Sequence, residues 1–208
     1  MYVPPAHRLD DDAELRALVA GVGAAELITT AADGYPLATL LPIVWDGDRV
    51  IAHLAAANDH WRHIEDGAPA LLVCRGAQAY VSPSWYAAKA EHGRVVPTWN
   101  YSAVHLRGRV RIHRDAEWLR DAVTLLTSVH EGRREAPWRV TDAPERFVAG
   151  QLRGIVGVEV AVEAVEGKAK LSQNRSEADQ RGVVDGLRAA GGAEEAAVAE
   201  QMVARLDG

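Results

Sequence analysis

Lys168, Lys170, Ser172 and Asn174 recur at a spacing of two within EGKAKLSQN, residues 166–174. If the valine-rich strand before them continues past Gly167, these four side chains share one face, and Ala169, Leu171 and Gln173 take the other. Residues two apart on a strand face lie about 7 Å from each other, so two flexible ammonium groups can converge there on one phosphate. The plain alternative is a solvent-facing strand end whose lysines discourage edge pairing.

Two aromatic clusters form a second candidate, YVSPSWY at 80–86 and PTWNY at 97–101. Trp85, Tyr86, Trp99 and Tyr101 combine π-faces with polar NH and OH tips, a suitable lining for a planar ligand and equally for a barrel-end core. His60 and His63 stand three apart on a short helix, but no third ligand follows at a metal-site spacing, so both are read as exposed helix histidines. His53 and His105 fall in strand-like segments and read as hydrogen-bonded structural groups before general bases. Glu159 and Glu163 alternate as a solvated strand face. GxSxG, HExxH, GxGxxG and P-loop patterns are all missing from the sequence, which leaves hydrolytic and dinucleotide-fold readings unsupported.

These residues must be positioned by a sheet. Asp11 or Asp12 caps a helix carrying Leu15, Leu18, Val19 and Val22, stopped at Gly23. AELITTA, YPLATLLPIVW and RVIAHLAA, separated by Asp33-Gly34 and Asp46-Gly47, read as an antiparallel meander. Asn58 or Asp59 opens a brief helix closed at Gly67. Strand character returns in PALLVCRGAQAYVSPSW and in TWNYSAVHLRGRVRIH. Asp115 caps a helix with an apolar stripe from Trp118 to Val129, and Arg133 to Pro144 is loop or short helix. Val156, Val158, Val160 and Val162 alternate with Gly157, Glu159, Ala161 and Glu163 in the clearest strand. Ser176 with Asp179 resembles a capping box, and two helix-like segments flank Gly191-Gly192. The expected class is mainly β with α: an antiparallel sheet that closes or nearly closes as a barrel, with peripheral helices and a C-terminal helical segment.

The 208 residues are 48% apolar and 25% charged, enough for a substantial core. A formal charge of −6 disfavours nonspecific binding to nucleic acid, which depends on phosphate neutralisation. The single cysteine, Cys74 in LLVCRG, excludes an internal disulfide and multi-cysteine zinc sites, and its apolar neighbours point to a buried thiol. No apolar run approaches bilayer length, and the start, MYVPPAHRLDDD, lacks the basic and apolar regions of a signal peptide, so a cytoplasmic location without a membrane partner is expected.

Read together, MYVPPAH, HLAAANDHW at 53–61, YVSPSWY, PTWNY with the following AVH, and GIVGVEV leading to VEGKAKLSQNR resemble, in order, the PaiB-type FMN-binding negative transcriptional regulators. The resemblance implies a flavin-binding split β-barrel related to pyridoxamine-phosphate-oxidase-like proteins, a homodimer with FMN near the subunit interface. It implies a split-barrel domain over residues 1–175 and a helical extension over 176–208, packed on the same domain or on the dimer partner. On the matching positions it implies cofactor or interface roles for His53, Asn58, Trp61, Ser82, Trp85, Trp99, Asn100, Lys168, Lys170, Ser172, Gln173 and Asn174. Lysines and hydroxyls suit the phosphate, amides the polar edge of the flavin, and tryptophans its face. Leu40 departs from the pattern, standing in ATLLPI where a histidine is common.

The resemblance leaves the activity open between a regulator and a flavin-dependent oxidoreductase acting on a small molecule or a nicotinamide cofactor. Direct DNA binding is poorly supported, because residues 176–208 carry seven acidic side chains against three arginines. A recognition helix needs basic or amide groups facing phosphate and bases, which AEEAAVAEQMVARL does not supply.

Overall fold

The computed structural model describes residues 1–207. The chain runs through β1 (Arg8–Leu9), α1 (Asp12–Val22), β2 (Ala24–Thr30), β3 (Pro36–Pro42), β4 (Val44–Asp46), β5 (Arg49–Ala55), β6 (Ala68–Val81), α2 (Ala88–Glu91), β7 (Thr98–His113), α3 (Ala116–Glu131), α4 (Glu145–Leu152), β8 (Ile155–Lys170), α5 (Glu177–Ala190) and α6 (Ala193–Leu206). The eight strands form one sheet in the order β3-β2-β6-β7-β8-β5-β4, with β1 added on β8. The class is the expected one, mainly β with helices, and the strand order is open rather than closed on itself.

Local chemistry accounts for most element ends. The Asp11 carboxylate accepts the Glu14 amide at 2.8 Å at the start of α1, and Gly23, at φ +67, takes the left-handed conformation that stops it. Asp115 accepts the amides of Glu117 and Trp118 at 3.0 and 2.9 Å, satisfying two orphan donors at the start of α3. Ser176 accepts the Asp179 amide at 3.2 Å. The Asp179 carboxylate does not complete a capping box, because it accepts the Ala88 amide at 2.9 Å instead. α4 follows the stretch Arg133 to Pro144 and carries no signal in the sequence reading. Its buried Val148 and Leu152 join Leu119 of α3 and Val140 in a small cluster.

The meander expectation is corrected at one point. β2 pairs with β3 and β4 with β5, as the turn signals imply. Between the hairpins, however, the chain passes from one end of the strand order to the other. Pro42 supplies no N–H to continue a ladder, and the Ile43 amide leaves β3 to donate to Gly23 O at 3.0 Å.

Contacts divide the described chain into two compact units. The first comprises Met1–Leu15, Arg75–Val104 and Glu166–Gly208. Its core gathers Val81, Tyr86, Leu171, Leu187, Val198 and Met202. Gly182 and Gly186 on α5 let Trp85 approach the helix closely: a Cβ at Gly182 would stand 2.1 Å from the Trp85 carbonyl oxygen, and one at Gly186 2.3 Å from its ring.

The second unit comprises Arg16–Cys74 and His105–Val165. Leu27, Val50, Leu54, Leu72, Leu106 and Val158 are fully buried in it. Cross-strand pairing sets His53 opposite Gly157 and Ile51 opposite Glu159. Gly157 is obligatory, since Trp118 of α3 covers it so closely that a Cβ would meet the ring at 2.1 Å. Cys74 is buried, with its thiol pushed up to about 12 by burial and by the Glu26 carboxylate, so it is no nucleophile.

Candidate functional site

In the first unit β8 ends at Lys170, and Ser172 has φ +66, a left-handed backbone rarely held by a residue other than glycine. The Arg175 amide closes a turn onto Ser172 O at 3.0 Å. The alternation expected for residues 168–174 therefore stops after Lys170, and Ser172 and Asn174 are not placed by strand register. Ser172 is buried and fixed by fully buried Asn100: the Asn100 amide donates to Ser172 Oγ at 3.0 Å, and Ser172 Oγ is 3.2 Å from Asn100 Oδ1. Gln173 accepts the Leu171 amide at 2.7 Å, donates to Ala169 O at 2.5 Å and meets His7 Nδ1 at 2.9 Å. It fastens the N-terminal arm to the end of β8.

The two lysines differ. Lys168 is 7% exposed, donates to Tyr2 O at 3.0 Å and lies over the rings of Tyr101 and Tyr2 at 5.1 and 5.8 Å. Lys170 donates to Thr98 Oγ1 at 2.5 Å and Trp99 O at 2.6 Å. Burial, with repulsion from Lys168 and Arg175, holds the Lys170 pKa below the usual lysine value. Arg175 lies 4.8 Å over the Tyr86 ring. Among the described residues none of these three cations has a carboxylate within ion-pair distance.

Of the other predicted residues in this unit, Trp99 is 47% exposed, donates to Gln78 Oε1 at 3.2 Å and meets Tyr80 edge to face. Trp85 and Tyr86 pack into the core. Ser82 accepts the Ser84 amide at 3.2 Å, capping a short turn at Pro83–Trp85. Asn174 is exposed.

His53, Asn58 and Trp61 belong to the second unit. Asn58 accepts the His60 amide at 3.0 Å and so caps the Asp59–His63 turn. Trp61 donates to Ala56 O at 3.1 Å. His53 Nδ1 is buried without a hydrogen-bond partner, and burial lowers its pKa. The exposed-histidine expectation holds for His63 but is corrected for His60. His60 is 6% exposed and wedged between Thr29 Oγ1 at 2.9 Å and Thr39 Oγ1 at 2.8 Å, which joins the turn to the β2–β3 hairpin. Burial and the neighbouring His63 lower its pKa. Glu159 also departs from the solvated reading, lying 3.6 Å from Arg49 and 3.9 Å from His113, which stacks on Trp118 at 4.0 Å. Glu163 keeps it, paired with exposed Arg109. Among the described residues no three potential metal ligands cluster, and no helix is long and apolar enough to cross a membrane.

The sequence reading missed Tyr2, Thr98 and Arg175 around the lysines, and Arg114, Arg120 and Arg153 near Trp61. Arg175 adjoins the quoted segment and was detectable from charge alone. The others are far apart in sequence and carry no shared spacing.

A family model described as "Putative FMN-binding domain" matches residues 1–164. The chain is 32% identical over 192 residues to a Bacillus subtilis protein named protease synthase and sporulation protein PAI 2, covering 90% of this chain and 89% of that one. An uncharacterised Saccharomyces cerevisiae protein is 37% identical over 100 residues, 48% of this chain and 59% of that protein. Among solved structures, an FAD and heme binding protein from Mycobacterium smegmatis superposes with a TM-score of 0.62 at 17% identity, covering 89% of this chain and 80% of that chain. A conserved hypothetical protein from Mycobacterium tuberculosis gives 0.61 at 12% identity, covering 85% and 95%.

The fold and the family match thus define a split-barrel flavin-binding class. The chain belongs to the PaiB-type FMN-binding family, and FMN is its cofactor. The donor set fits that group: three cations without carboxylate partners suit a phosphate dianion, and exposed Trp99 offers an aromatic face beside them.

Proposed function

We propose that the FMN phosphate is held at the C-terminal end of β8 by Lys168 and Lys170, with Arg175 adding to the local positive potential. The observation that carries this reading is the gathering of the three cations without a carboxylate; burial first, and then repulsion from Lys168 and Arg175, hold the Lys170 pKa down, and an anion would relieve the repulsion. In this reading Trp99 and Asn174 face the ligand. Ser82, Trp85, Asn100, Ser172 and Gln173 act at one remove, holding the segment in shape through the contacts described above. FMN, when bound, supplies one- and two-electron chemistry, and the protein supplies position and charge. His53 and Asn58, in the second unit, are read as residues of an interface with a second copy in a homodimer, and Trp61 lines a separate cleft of that unit.

The reading stops short of direct contact with DNA. α5 and α6 bury Val183, Leu187, Val198 and Met202 in a shared core, and their remaining surface is predominantly acidic. A regulatory role in the cytoplasm would then run through the flavin or through a protein partner.

FMN titration followed by flavin fluorescence tests the placement. Lys170→Ala is expected to weaken binding by roughly tenfold or more, a charge-assisted hydrogen bond contributing about 1.5–3 kcal/mol, while Glu163→Ala leaves it unchanged. Equal affinities for the two variants would refute the phosphate position. Sedimentation of the loaded protein is expected to give the dimer mass.

A further inference from the structure

The second unit contains a cleft that the flavin reading does not use. It measures about 760 Å³ and has an apolar floor of Leu119, Leu152 and Ile155, with Trp61 at its wall. Arg114, Arg120 and Arg153 stand around it with Glu117. The guanidinium of Arg120 is occupied by Glu145. Arg114 is not so occupied: it lies 5.5 Å from the Trp61 ring centre. Arg153 gives one N–H to Ala149 O at 3.1 Å. Among the described residues neither Arg114 nor Arg153 has a carboxylate within ion-pair distance. In a chain of net charge −6, two unpaired arginines over an apolar hollow are a specific arrangement.

We propose that this cleft is a second small-molecule site, separate from the flavin, and that it takes a planar aromatic carboxylate. The volume falls in the range of small-ligand pockets, roughly 300–1,000 Å³. Leu119, Leu152 and Ile155 supply the area that a ring system buries, and Trp61 adds to the apolar wall. Arg114 and Arg153 supply planar guanidinium forks, the geometry that matches a carboxylate in two parallel hydrogen bonds. A neutral aromatic would bury the same surface and leave both guanidiniums without a partner. A compact inorganic anion would meet the arginines and leave the floor empty. The two halves of the lining together select a ligand with an apolar body and one acidic end.

The test uses 2-naphthoate, with 2-naphthalenemethanol as the neutral isostere and inorganic phosphate as the bare anion, titrated into the FMN-loaded protein by calorimetry. Naphthoate is expected to bind at submillimolar concentration, about tenfold more tightly than the alcohol, in keeping with one charge-assisted contact. The double variant Arg114→Gln with Arg153→Gln is expected to lose that tenfold preference while its FMN affinity and thermal midpoint stay unchanged. Leu152→Trp, which fills the floor, is expected to abolish binding of both naphthalenes. The proposal is overturned if naphthoate fails to bind, if the arginine variant keeps the preference for the acid, or if phosphate alone competes as well as naphthoate. Loss of FMN together with naphthoate would also overturn it, because the cleft would then belong to the flavin. Failure of the Lys170→Ala experiment leaves this outcome untouched, since no residue is shared.

Discussion

The two ends of β8 use one extended backbone in opposite ways. From Ile155 to Ala161, in the second unit, the strand is a packing element. Val156, Val158 and Val160 fill the core, and the other face is covered by α3 through the contact of Trp118 on Gly157. From Glu166 to Lys170, in the first unit, it is a polar element. Lys168 is buried and Lys170 half-buried, and their ammonium groups are met by carbonyl and hydroxyl oxygens and aromatic faces, with no carboxylate. Burying a charge without a counter-charge is costly, and hydrogen bonding recovers only part of that cost. Regular packing suffices at a strand end whose face fills the core. An end that keeps unneutralised cations is the one to which the proposed function assigns the FMN phosphate.

The largest effect expected on this contrast comes from Leu171→Ala, just beyond the polar end. Leu171 is buried with Leu187 and Met202, and its truncation should cost about 2–5 kcal/mol in denaturant unfolding. A loss below about 1 kcal/mol would show that the lysine segment is not anchored by the helical core. Asn100→Ala comes next. It removes the buried partner of Ser172, and a loss of about 1–3 kcal/mol is expected, together with weaker FMN binding if the left-handed turn positions the lysines. Unchanged stability would mean that the turn stands without it.

The pH dependence separates the two units further. His53, His60 and His113 lie in the second unit, and burial lowers the pKa of each from 6.5. The unfolded chain therefore binds their protons more readily, so stability should be full above about pH 6.5 and fall as pH drops toward 5, before carboxylates titrate. Lys170 works at the other end of the scale. Its folded pKa lies below 10.5, so its destabilising contribution is present at neutral pH and disappears as pH rises through that folded value toward 10.5. Thermal midpoints measured from pH 5 to 8 check the histidine arm, which His60→Gln should make shallower. A flat profile would show that these histidines carry no cost of burial. The smallest effect is assigned to Glu163→Ala, which breaks an exposed pair with Arg109 and should change stability by less than about 0.5 kcal/mol.

Element types were legible because their signals are local. The valine alternation, the Asp115 cap, the Asp-Gly turns and Gly191 each act within a few residues, and the structure keeps all of them. The errors share a cause as well. His60 looked exposed because its helix is short and polar, but Thr29 and Thr39 reach it from a hairpin 21 to 31 residues away. The period-two reading of residues 168–174 assumed that a strand persists, and nothing local announces that Ser172 turns left-handed. The Asn100 side chain that accompanies that conformation lies 72 residues earlier.

The sequence by itself determined the sheet-rich class, the helix ends, the inert cysteine, and, through five ordered motifs, membership of an FMN-binding family. These follow from backbone preferences and from residue order, both readable in one dimension. Tertiary structure alone decided which polar groups are occupied. Gln173 and Ser172 are committed to holding the chain, Arg120 to Glu145, and Lys168 and Lys170 to oxygens that leave their charges unbalanced. Hydrogen bonds and charges are satisfied by whatever folding brings within about 3 Å, and that neighbourhood is set by the packing of distant segments.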